Sequence, residues 1–580
     1  MHIVAGLVAL CSLAANASGT TIHIDPSRTD GCPGAGTLSD PYCDWDSVTN
    51  FRGGYRYLQK RDTTYRKILS IAGGTDASPS RPIYIGAYGS GGNPRIRIEN
   101  SLPFWNNPAT WKRAGAHEWA YRTAKFAIGD PQVLFLDGRR AFGKARRKED
   151  MCIRKGTQRV EWFHENDTLY LCSPTGNPAT VFSSMSGMQV ASGSNFAAIY
   201  IKNKHDIVID DFTLEGGWYG AIFVRGGSHD IEIRNSTIGR DSANGVRVIA
   251  DEIPARRIRI HHNIIDSGIR WGRAGYEPLL SGEGVQFLMG VEDSRVDNNV
   301  IVAWSHAGTY LFSKTPSKLQ VRNNMIQDNE YHCGPNSSYF DYCRPIIAEG
   351  ERIGDVRGNI FFRNRMHDFS VRSQINGDHN SVIGNVCYHT VNSDAKTHPT
   401  GQCFSIQPYG TSEHNVFANN TMYDTADVAI EFVPGNAGPA SLHQVINNIM
   451  QNCAADATNG RRNACIFVGS DASIGPQIIS HNLVYNDWGA ARIEIRGRDF
   501  RKHSSHPEVT QSQNYESDEM NLNWINDPKL RDPARGDFSL APNSPAIQKG
   551  IKITVPRSIV GYDSSDLGAI PFRQIESDGQ

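Results

Sequence analysis

From about residue 200 onward, short stretches of alternating apolar and polar residues recur, and each ends in Asn or Asp, in most cases followed by an apolar residue. A period of two predicts strands with one inward and one outward face. The markers that end these stretches are about 24 to 36 residues apart in the numbering. They are Asp211, Asn235, Asn263, Asn299, Asn324, Asn359, Asn385, Asn420, Asn448 and Asn482.

The spacing of the markers predicts a coil of three short strands, with loops inserted in the longer turns. Asn tolerates a left-handed backbone at a corner, and stacked Asn side chains can hydrogen-bond along a column. A single coil cannot bury its apolar face, so stacked coils form the core. A β-sandwich would instead place hairpin turns every 8–12 residues or so. The pattern therefore favours an all-β solenoid.

The N-terminus and the cysteines together indicate export from the cytoplasm. Residues 3–15 form a short apolar run, and Ala15-Asn16-Ala17 fits a signal-peptidase site, so we expect residues 1–17 to be removed. Ten cysteines then remain, an even number without CxxC spacing, which favours disulfides over a metal cluster. Pairing each with its neighbour gives Cys32/Cys43, Cys152/Cys172, Cys333/Cys343, Cys387/Cys403 and Cys453/Cys465. We expect a secreted or periplasmic protein.

Composition excludes several classes of function. Lys+Arg is 59 and Asp+Glu is 60, so the net charge of −1 argues against a nucleic-acid partner. With 39% hydrophobic residues the chain can bury a core, and beyond the signal no run of about 20 apolar residues predicts a membrane span. We expect a monomer.

The repeats and both flanks resemble the right-handed parallel β-helix proteins of the pectate-lyase-like superfamily. The start, IHIDPSRTDGCPGAGTLSDPYCDW, is similar to their entry segment, and WINDPKLRDPARGDFSLAPNSPAIQKG with DLGAIPF is similar to their closing segment. The resemblance implies a right-handed parallel β-helix with a small inserted β-subdomain. It leaves the activity open, because the superfamily contains hydrolases, lyases, esterases, epimerases and binding proteins.

This resemblance divides the chain into a signal peptide (1–17), a cap with the first coils (18–99), an inserted β-subdomain (100–185), the main helix (186–490) and a closing segment (491–580). The insert carries Trp105, Trp111, Trp119 and Trp162. These rings could stack on sugars or form a local core.

Outward residues of adjacent coils lie about 4.8 Å apart, so one strand column can gather residues that are distant in sequence. Aligning the strands before the Asn corners predicts one column of polar side chains. Its members are Arg247, Gln286, Tyr310, Glu349, Arg372, Gln407 and Glu431. Loops add His306, Asp341, Arg344, His367 and Asp368. Such polar groups suit a polyhydroxylated chain, so we expect the partner to be a polysaccharide or oligosaccharide. The residues expected to bind it are Gln286, His306, Arg344, His367, Gln407 and Glu431.

Hydrolysis of a glycosidic bond needs two carboxyl groups, about 5–5.5 Å apart for retention or 6.5–9.5 Å for inversion. We expect Glu349 to be one, with Asp341, Glu351 or Asp368 as its partner. A neighbouring Arg372 would lower the pKa of Glu349 and suit it to be a nucleophile or base. An ion pair between Glu349 and Arg372 would instead be structural.

β-Elimination on a uronate is the alternative, with Arg372 neutralising the carboxylate and Tyr310, His306 or His367 as base. The stretch PIIAEGERIGDVRGNIFFRNRMHDFSVRSQINGDHN is similar to the catalytic region of the chondroitinase B and alginate lyase family, and Arg372 falls at that family's catalytic Arg. No Lys lies near Gly350, and the family's calcium-binding Glu residues lack counterparts. The resemblance leaves calcium open, and the sequence itself requires no cofactor or metal.

The hydrolase therefore ranks first, the lyase second, and a non-catalytic glycan-binding surface protein third.

Overall fold

The computed structural model is built almost entirely of parallel β-strands that wind into a tube. It describes residues 19–570 except 99, 102–103, 122–130, 138, 141–147, 149–150, 153–161, 167, 174, 190–196, 218, 241, 243, 268–281, 303, 305, 315–318, 334–342, 353, 370–371, 392–400, 408–410, 434–439, 455–463, 470–473, 476, 490, 496–497, 501–507, 510–518, 522, 554–555, 557–558 and 560–564.

Three long sheets form the walls of the tube. Sheet 1 contains Thr21–Ile24, Arg56–Lys60, Ile83–Tyr88, His205–Asp210, His229–Arg234, Ala255–His261, Val291–Glu292, Arg295–Asp297, Val321–Arg322, Met325–Gln327, Val356–Arg357, Ile360–Phe362, Ser381–Ile383, Val416–Ala418, His443–Ile446, Gln477–Ser480 and Glu519–Asn521. Sheet 2 contains Thr64–Tyr65, Arg95–Arg97, Thr213–Glu215, Thr237–Arg240, Ile264–Asp266, Val300–Val302, Glu330–His332, Arg365–His367, Val386–Tyr388, Thr421–Thr425, Ile449–Cys453, Leu483–Tyr485, Asn523–Ile525 and Glu508–Val509. Sheet 3 contains Leu69–Ser70, Ile199–Lys202, Ile222–Arg225, Val246–Ile249, Glu283–Leu288, Ala307–Ser313, Ile346–Gly350, Ser373–Ile375, Phe404–Ile406, Ile430–Phe432, Ala464–Val468, Arg492–Ile495 and Arg498–Phe500.

Successive coils add strands to all three walls, and some add two short strands to sheet 1, such as Val291–Glu292 and Arg295–Asp297. Equivalent apolar residues therefore stack along the axis. Ile207 pairs with Ile231, and Ile231 pairs with Ile258; all three side chains are buried. Equivalent contacts join buried residues from Ile24 to Ile525 into one core cluster. Stacking supplies the apolar cover that one coil lacks, and the predicted right-handed parallel β-helix is confirmed.

Buried asparagines form two hydrogen-bonded ladders, and the predicted markers are drawn from both. In each ladder the side-chain amide donates to the side-chain oxygen of the next Asn at 2.9–3.1 Å. The longer ladder is Asn263, Asn299, Asn329, Asn364, Asn385, Asn420, Asn448, Asn482 and Asn523. The shorter ladder is Asn324, Asn359, Asn380 and Asn415.

The left-handed residue at a corner usually precedes the ladder Asn, which corrects the expectation that the ladder Asn itself adopts this backbone. His262 has φ 55° ahead of Asn263, and Asn447 has φ 59° ahead of Asn448. The ladder Asn is thereby turned inward, where its amide also bonds backbone carbonyls, as Asn448 does with that of Phe417 at 2.9 Å. Asp211 and Asn235 are themselves left-handed and lie before the ladder starts.

Two small antiparallel sheets interrupt the coil between residues 100 and 189. One contains Asn100–Ser101, Pro131–Leu136, Arg139–Arg140 and Met185–Gln189; the other contains Trp111–Arg113, Glu118–Tyr121, Trp162–Glu165 and Thr168–Cys172. A short helix, Pro178–Val181, lies between the strands Thr168–Cys172 and Met185–Gln189. Trp111 and Trp162 are buried in a core cluster separate from that of the tube, so these two rings form part of a local core.

The C-terminal segment runs back over the outside of the tube. Phe538 and Ala569 pack on Val386 of sheet 2, and Leu540 and Leu567 pack on neighbouring strands of the same sheet. Ile559 packs against outward residues of sheet 1 in a further cluster. The hairpin Leu530–Asp532 and Asp537–Leu540 belongs to this segment, and one further strand pair, Ser412–Glu413 with Ala440–Ser441, lies beside the coils.

All five predicted cysteine pairs are confirmed: each pair of sulfur atoms lies at disulfide distance. Disulfides persist in oxidising compartments, so they favour maturation outside the cytoplasm. Within the described part of the chain, no helix is both long and apolar enough to cross a membrane. The predicted signal peptide lies outside the described residues.

Candidate active site

The strand register of sheet 3 shifts some members of the predicted polar column along their strands but leaves them on the same face of the sheet. Arg247 pairs with Gln286, and Gln286 pairs with Tyr310. Tyr310 then pairs with Ile347, so Glu349 lies two residues beyond the row. Since a shift of two residues keeps a side chain on the same face, Glu349 still projects to the same side as the row.

Two further members of the predicted column are displaced in the same way. The row passes from Ile347 through Gln374 and Ser405 to Glu431. Arg372 therefore precedes the row by two residues, and Gln407 follows it by two. The predicted residues thus form a band on the outside of sheet 3 rather than a single file.

Glu349 lies at the centre of this band in a buried, hydrogen-bonded position. Its side chain is 7% exposed. The hydroxyl of Tyr310 donates to Oε1 at 2.8 Å, and the amide of Gln374 donates to Oε2 at 3.3 Å. Arg344 in turn donates to the amide oxygen of Gln374 at 3.3 Å, which turns the amide nitrogen toward Glu349.

Burial raises the pKa of Glu349 above its usual range. The Tyr310 hydrogen bond and the electrostatic effects of His306 and Arg344 lower the pKa of Glu349, and the charge of Glu283 adds to the increase. This corrects the expectation that Arg372 lowers the pKa of Glu349. A carboxyl group whose pKa is raised suits a proton donor.

Glu283 is a second buried carboxylate in the same band. His306 Nδ1 lies 2.6 Å from its Oε1, and the amide of Gln286 donates to its Oε2 at 2.9 Å. The rings of His306 and Tyr310 meet edge to face with centroids 5.1 Å apart. Two rings therefore connect Glu283 to Glu349, and both carboxyl groups belong to one cluster on sheet 3.

Arg372 binds Glu431 and not Glu349. Its guanidinium lies 3.1 Å from the Glu431 carboxylate and hydrogen-bonds the amide oxygen of Gln407. Arg372 is 4% exposed and Glu431 is fully buried, which corrects the expectation that Glu431 is available to substrate. Gln374 donates to the backbone carbonyl of Gln407 at 3.1 Å and so links this pair to Glu349.

His367 and Asp368 lie away from the band, because the strand Arg365–His367 belongs to sheet 2. His367 contacts Asp368 at 2.8 Å and Glu330 at 3.1 Å. Burial lowers the pKa of His367, but the two carboxylates outweigh it and raise the pKa to about 9. These residues form a separate charged cluster, and the structure does not bring them to Glu349.

Of the other predicted partners of Glu349, Asp341 lies outside the described residues. Glu351 is exposed and follows the strand that carries Glu349.

Sequence reasoning missed Glu283 and Gln374. Glu283 begins its strand out of phase with Gln286, so alternation assigned it to the interior. An acid among apolar strand residues was the available signal. Gln374 was missed because Arg372 was chosen as the member of the column from this coil. The alternation of Gln374 with Ser373 and Ile375 nevertheless marks Gln374 as outward.

One donor set elsewhere could hold a metal ion. A ligand atom from each of Asp378, His379 and His414 lies within 4.8 Å of the other two. Two imidazoles and one carboxylate suit a transition metal better than calcium, which prefers oxygen ligands.

Comparison with known proteins gives structural likeness only. No family model matches the chain, and no curated protein matches it. A solved structure of XylC with xylose is 12% identical with a TM-score of 0.45, covering 88% of this chain and 87% of that one. Native GH136 lacto-N-biosidase from Eubacterium ramulus is 12% identical with a TM-score of 0.39, covering 87% and 68%. Pectate lyase Pel9A is 13% identical with a TM-score of 0.37, covering 96% and 98%.

Proposed function

We propose that the protein is a carbohydrate-active enzyme that hydrolyses glycosidic bonds in a polysaccharide or oligosaccharide. One observation carries the proposal: two buried carboxyl groups, Glu283 and Glu349, share a polar cluster on the outside of sheet 3, and the charge of one raises the pKa of the other. Paired carboxyl groups in unlike environments are the usual machinery of glycoside hydrolysis.

Glu349 is the general acid in this mechanism, because a carboxyl group with a raised pKa keeps its proton closer to neutral pH. It would donate that proton to the oxygen of the leaving sugar. Glu283, held by Gln286 and His306, would act on the opposite side of the bond, as a nucleophile or as a base that activates water. The product anomer decides between these two roles.

The polar surroundings suit a sugar substrate. Gln286, His306 and Arg344 offer hydrogen bonds at the edge of the carboxyl pair, and a sugar presents hydroxyl groups that bind such side chains. We propose these residues as substrate-binding. Tyr310 and Gln374 hydrogen-bond Glu349 and orient it. Gln374 is held in turn by the backbone carbonyl of Gln407, whose side chain is bonded by Arg372, the partner of Glu431.

The elimination mechanism is less well supported. As predicted above, it would use Arg372 to neutralise a uronate carboxylate, whereas the guanidinium of Arg372 is buried against Glu431. A non-catalytic binding protein would have no need for a carboxyl group of raised pKa beside a second carboxylate. We also propose that the protein acts as a secreted or periplasmic monomer.

Digestion of a panel of neutral and acidic glycans tests the proposal. We expect new reducing ends without the ultraviolet absorbance of unsaturated products, and a loss of at least about a hundredfold in kcat for Glu349→Gln. His229→Gln, on sheet 1 and outside the band, is the control and should retain activity. Unsaturated products would assign the lyase instead, and full activity of Glu349→Gln would remove that residue from the site.

A further inference from the structure

Arg247 is a charged group in the active-site row whose charge is not neutralised by contact. It pairs with Phe223 on one neighbouring strand and with Gln286 on the other. Among the residues that the structure describes, no carboxylate forms an ion pair with it, and its buried Nε has no acceptor. A guanidinium keeps its charge in proteins, so a half-buried one without a partner is costly.

Other arginines of sheet 3 and its edges have polar partners. Arg225 binds Asp251 at 2.9 Å, Arg372 binds Glu431 at 3.1 Å, and Arg492 binds Glu494 at 3.3 Å. Glu283 is near enough for its charge to raise the pKa of Arg247, while burial lowers that pKa more strongly. The oxygens of Glu283, however, are occupied by His306 and Gln286.

Aromatic rings hold the Arg247 guanidinium in place. Its central carbon lies 5.1 Å from the ring centroid of Tyr219 and 5.9 Å from that of Phe223. The two rings stack on each other with centroids 5.3 Å apart, and Tyr219 is exposed. Stacking on rings restricts the planar group without using its N–H donors, so the donors remain directed to other groups.

Next to Arg247 in the row, Gln286 contributes an unused acceptor. Its side chain is 7% exposed, and its amide oxygen is buried with no hydrogen-bond partner in the described part of the chain. The amide nitrogen of the same side chain already donates to Glu283. A guanidinium with free donors and an amide with a free acceptor therefore lie side by side, one strand from Tyr310.

We propose that Arg247 and Gln286 form a subsite for a sugar that carries an anionic group beside a hydroxyl. The inference rests on the proposed function, because it places this sugar next to the bond that Glu283 and Glu349 cleave. The guanidinium binds the carboxylate or sulfate as a two-pronged donor, and the amide oxygen accepts from a hydroxyl. Arg247 is thus a substrate-binding residue that selects an acidic glycan.

Binding to the inactive full-length Glu349→Gln variant tests this subsite without turnover. Calorimetry would use matched pairs: polygalacturonate with its methyl ester, and dextran sulfate with dextran. We expect a charged member to bind and its neutral partner not to bind, and the pair that responds identifies the anion as carboxylate or sulfate. Adding Arg247→Gln should weaken that binding at least tenfold and reduce its salt dependence.

Two variants control for folding and for general charge. Arg247→Lys keeps the positive charge but lacks the two parallel N–H donors of the guanidinium, so it should retain part of the affinity. Arg225→Gln removes a cation of the same sheet that is already paired with Asp251, and it should leave affinity unchanged. Equal binding of neutral and charged members, unchanged affinity in Arg247→Gln, or binding of neither charged glycan would each overturn the subsite.

The subsite and the proposed function can fail separately. If the protein hydrolyses a neutral glycan and Arg247→Gln retains that activity, the hydrolase stands and the acidic subsite does not. If a charged glycan binds through Arg247 but no preparation cleaves it, the subsite stands and the hydrolase does not.

Discussion

Three buried glutamates on one sheet have three different environments. Glu283 accepts hydrogen bonds, Glu349 is desolvated between a phenol and an amide, and Glu431 is neutralised by Arg372. The sequence shows only that an acidic residue is present. Its surroundings decide whether it acts as a proton donor, as a nucleophile or as a structural ion-pair partner. The roles proposed above therefore follow from the partners of each side chain.

The pH dependence of activity should follow Glu349. As a proton donor it is active while protonated, so kcat/KM should fall as pH rises through its raised pKa. The Tyr310 hydroxyl lowers that pKa, so Tyr310→Phe should move the alkaline limb to higher pH by about half to one unit. Profiles of both proteins on one glycan would check this. A limb that stays in place or moves to lower pH would contradict the assignment of Glu349 as the acid.

At the scale of the strand, side-chain direction was predictable and register was not. Alternation assigns Tyr310, Glu349 and Glu431 to one face, and the structure places them there. A shift of two residues leaves the alternation unchanged, so sequence could not show that Glu349 pairs with Phe312 or that Gln374 occupies the place expected for Arg372.

The buried pair of Arg372 and Glu431 clamps strands across the intervening one, Phe404–Ile406. Arg372→Met should lower the free energy of unfolding by about 3–5 kcal/mol, since it removes the guanidinium that neutralises the buried Glu431 carboxylate. The double variant Arg372→Met/Glu431→Leu should recover much of this loss. Urea unfolding would measure both changes.

Arg225→Met is the matched control for the clamp, because its ion pair with Asp251 is largely exposed. It should cost no more than about 1 kcal/mol. A similar cost for the two single variants would argue that Arg372 and Glu431 are no better coupled than a surface pair.

At the scale of the whole molecule, the fold was readable because one rule repeats. The alternating strands recur along the whole tube and the ladder residues recur from Asn263 onward, so the solenoid could be predicted. The even number and local spacing of the cysteines predicted the disulfide pairs. The sequence did not predict that there are two ladders. Asn324 and Asn329 belong to different ladders but lie so close in sequence that only Asn324 was identified as a marker. The active site has no repeat of its own, since each coil contributes a different side chain.

The ladders should be a main source of stability. Asn385 donates to the carbonyl of Phe361 and to Asn420, and it accepts from Asn364. Asn385→Ala leaves buried partners unsatisfied and should lower the free energy of unfolding by about 2–4 kcal/mol. Thermal and urea unfolding would check this. Asn543→Ala, at an exposed turn, is the control and should change stability by less than about 0.5 kcal/mol.

The returning segment ties completion of the tube to residues that are made long after its middle coils. Ile559 seals the cluster of Met325 and Ile360, and Ala569 seals that of Val386, although those coils emerge from the ribosome long before. Until the residues up to Ala569 are made, these coils expose apolar side chains that favour aggregation. A chaperone that shields nascent chains would matter most during that interval.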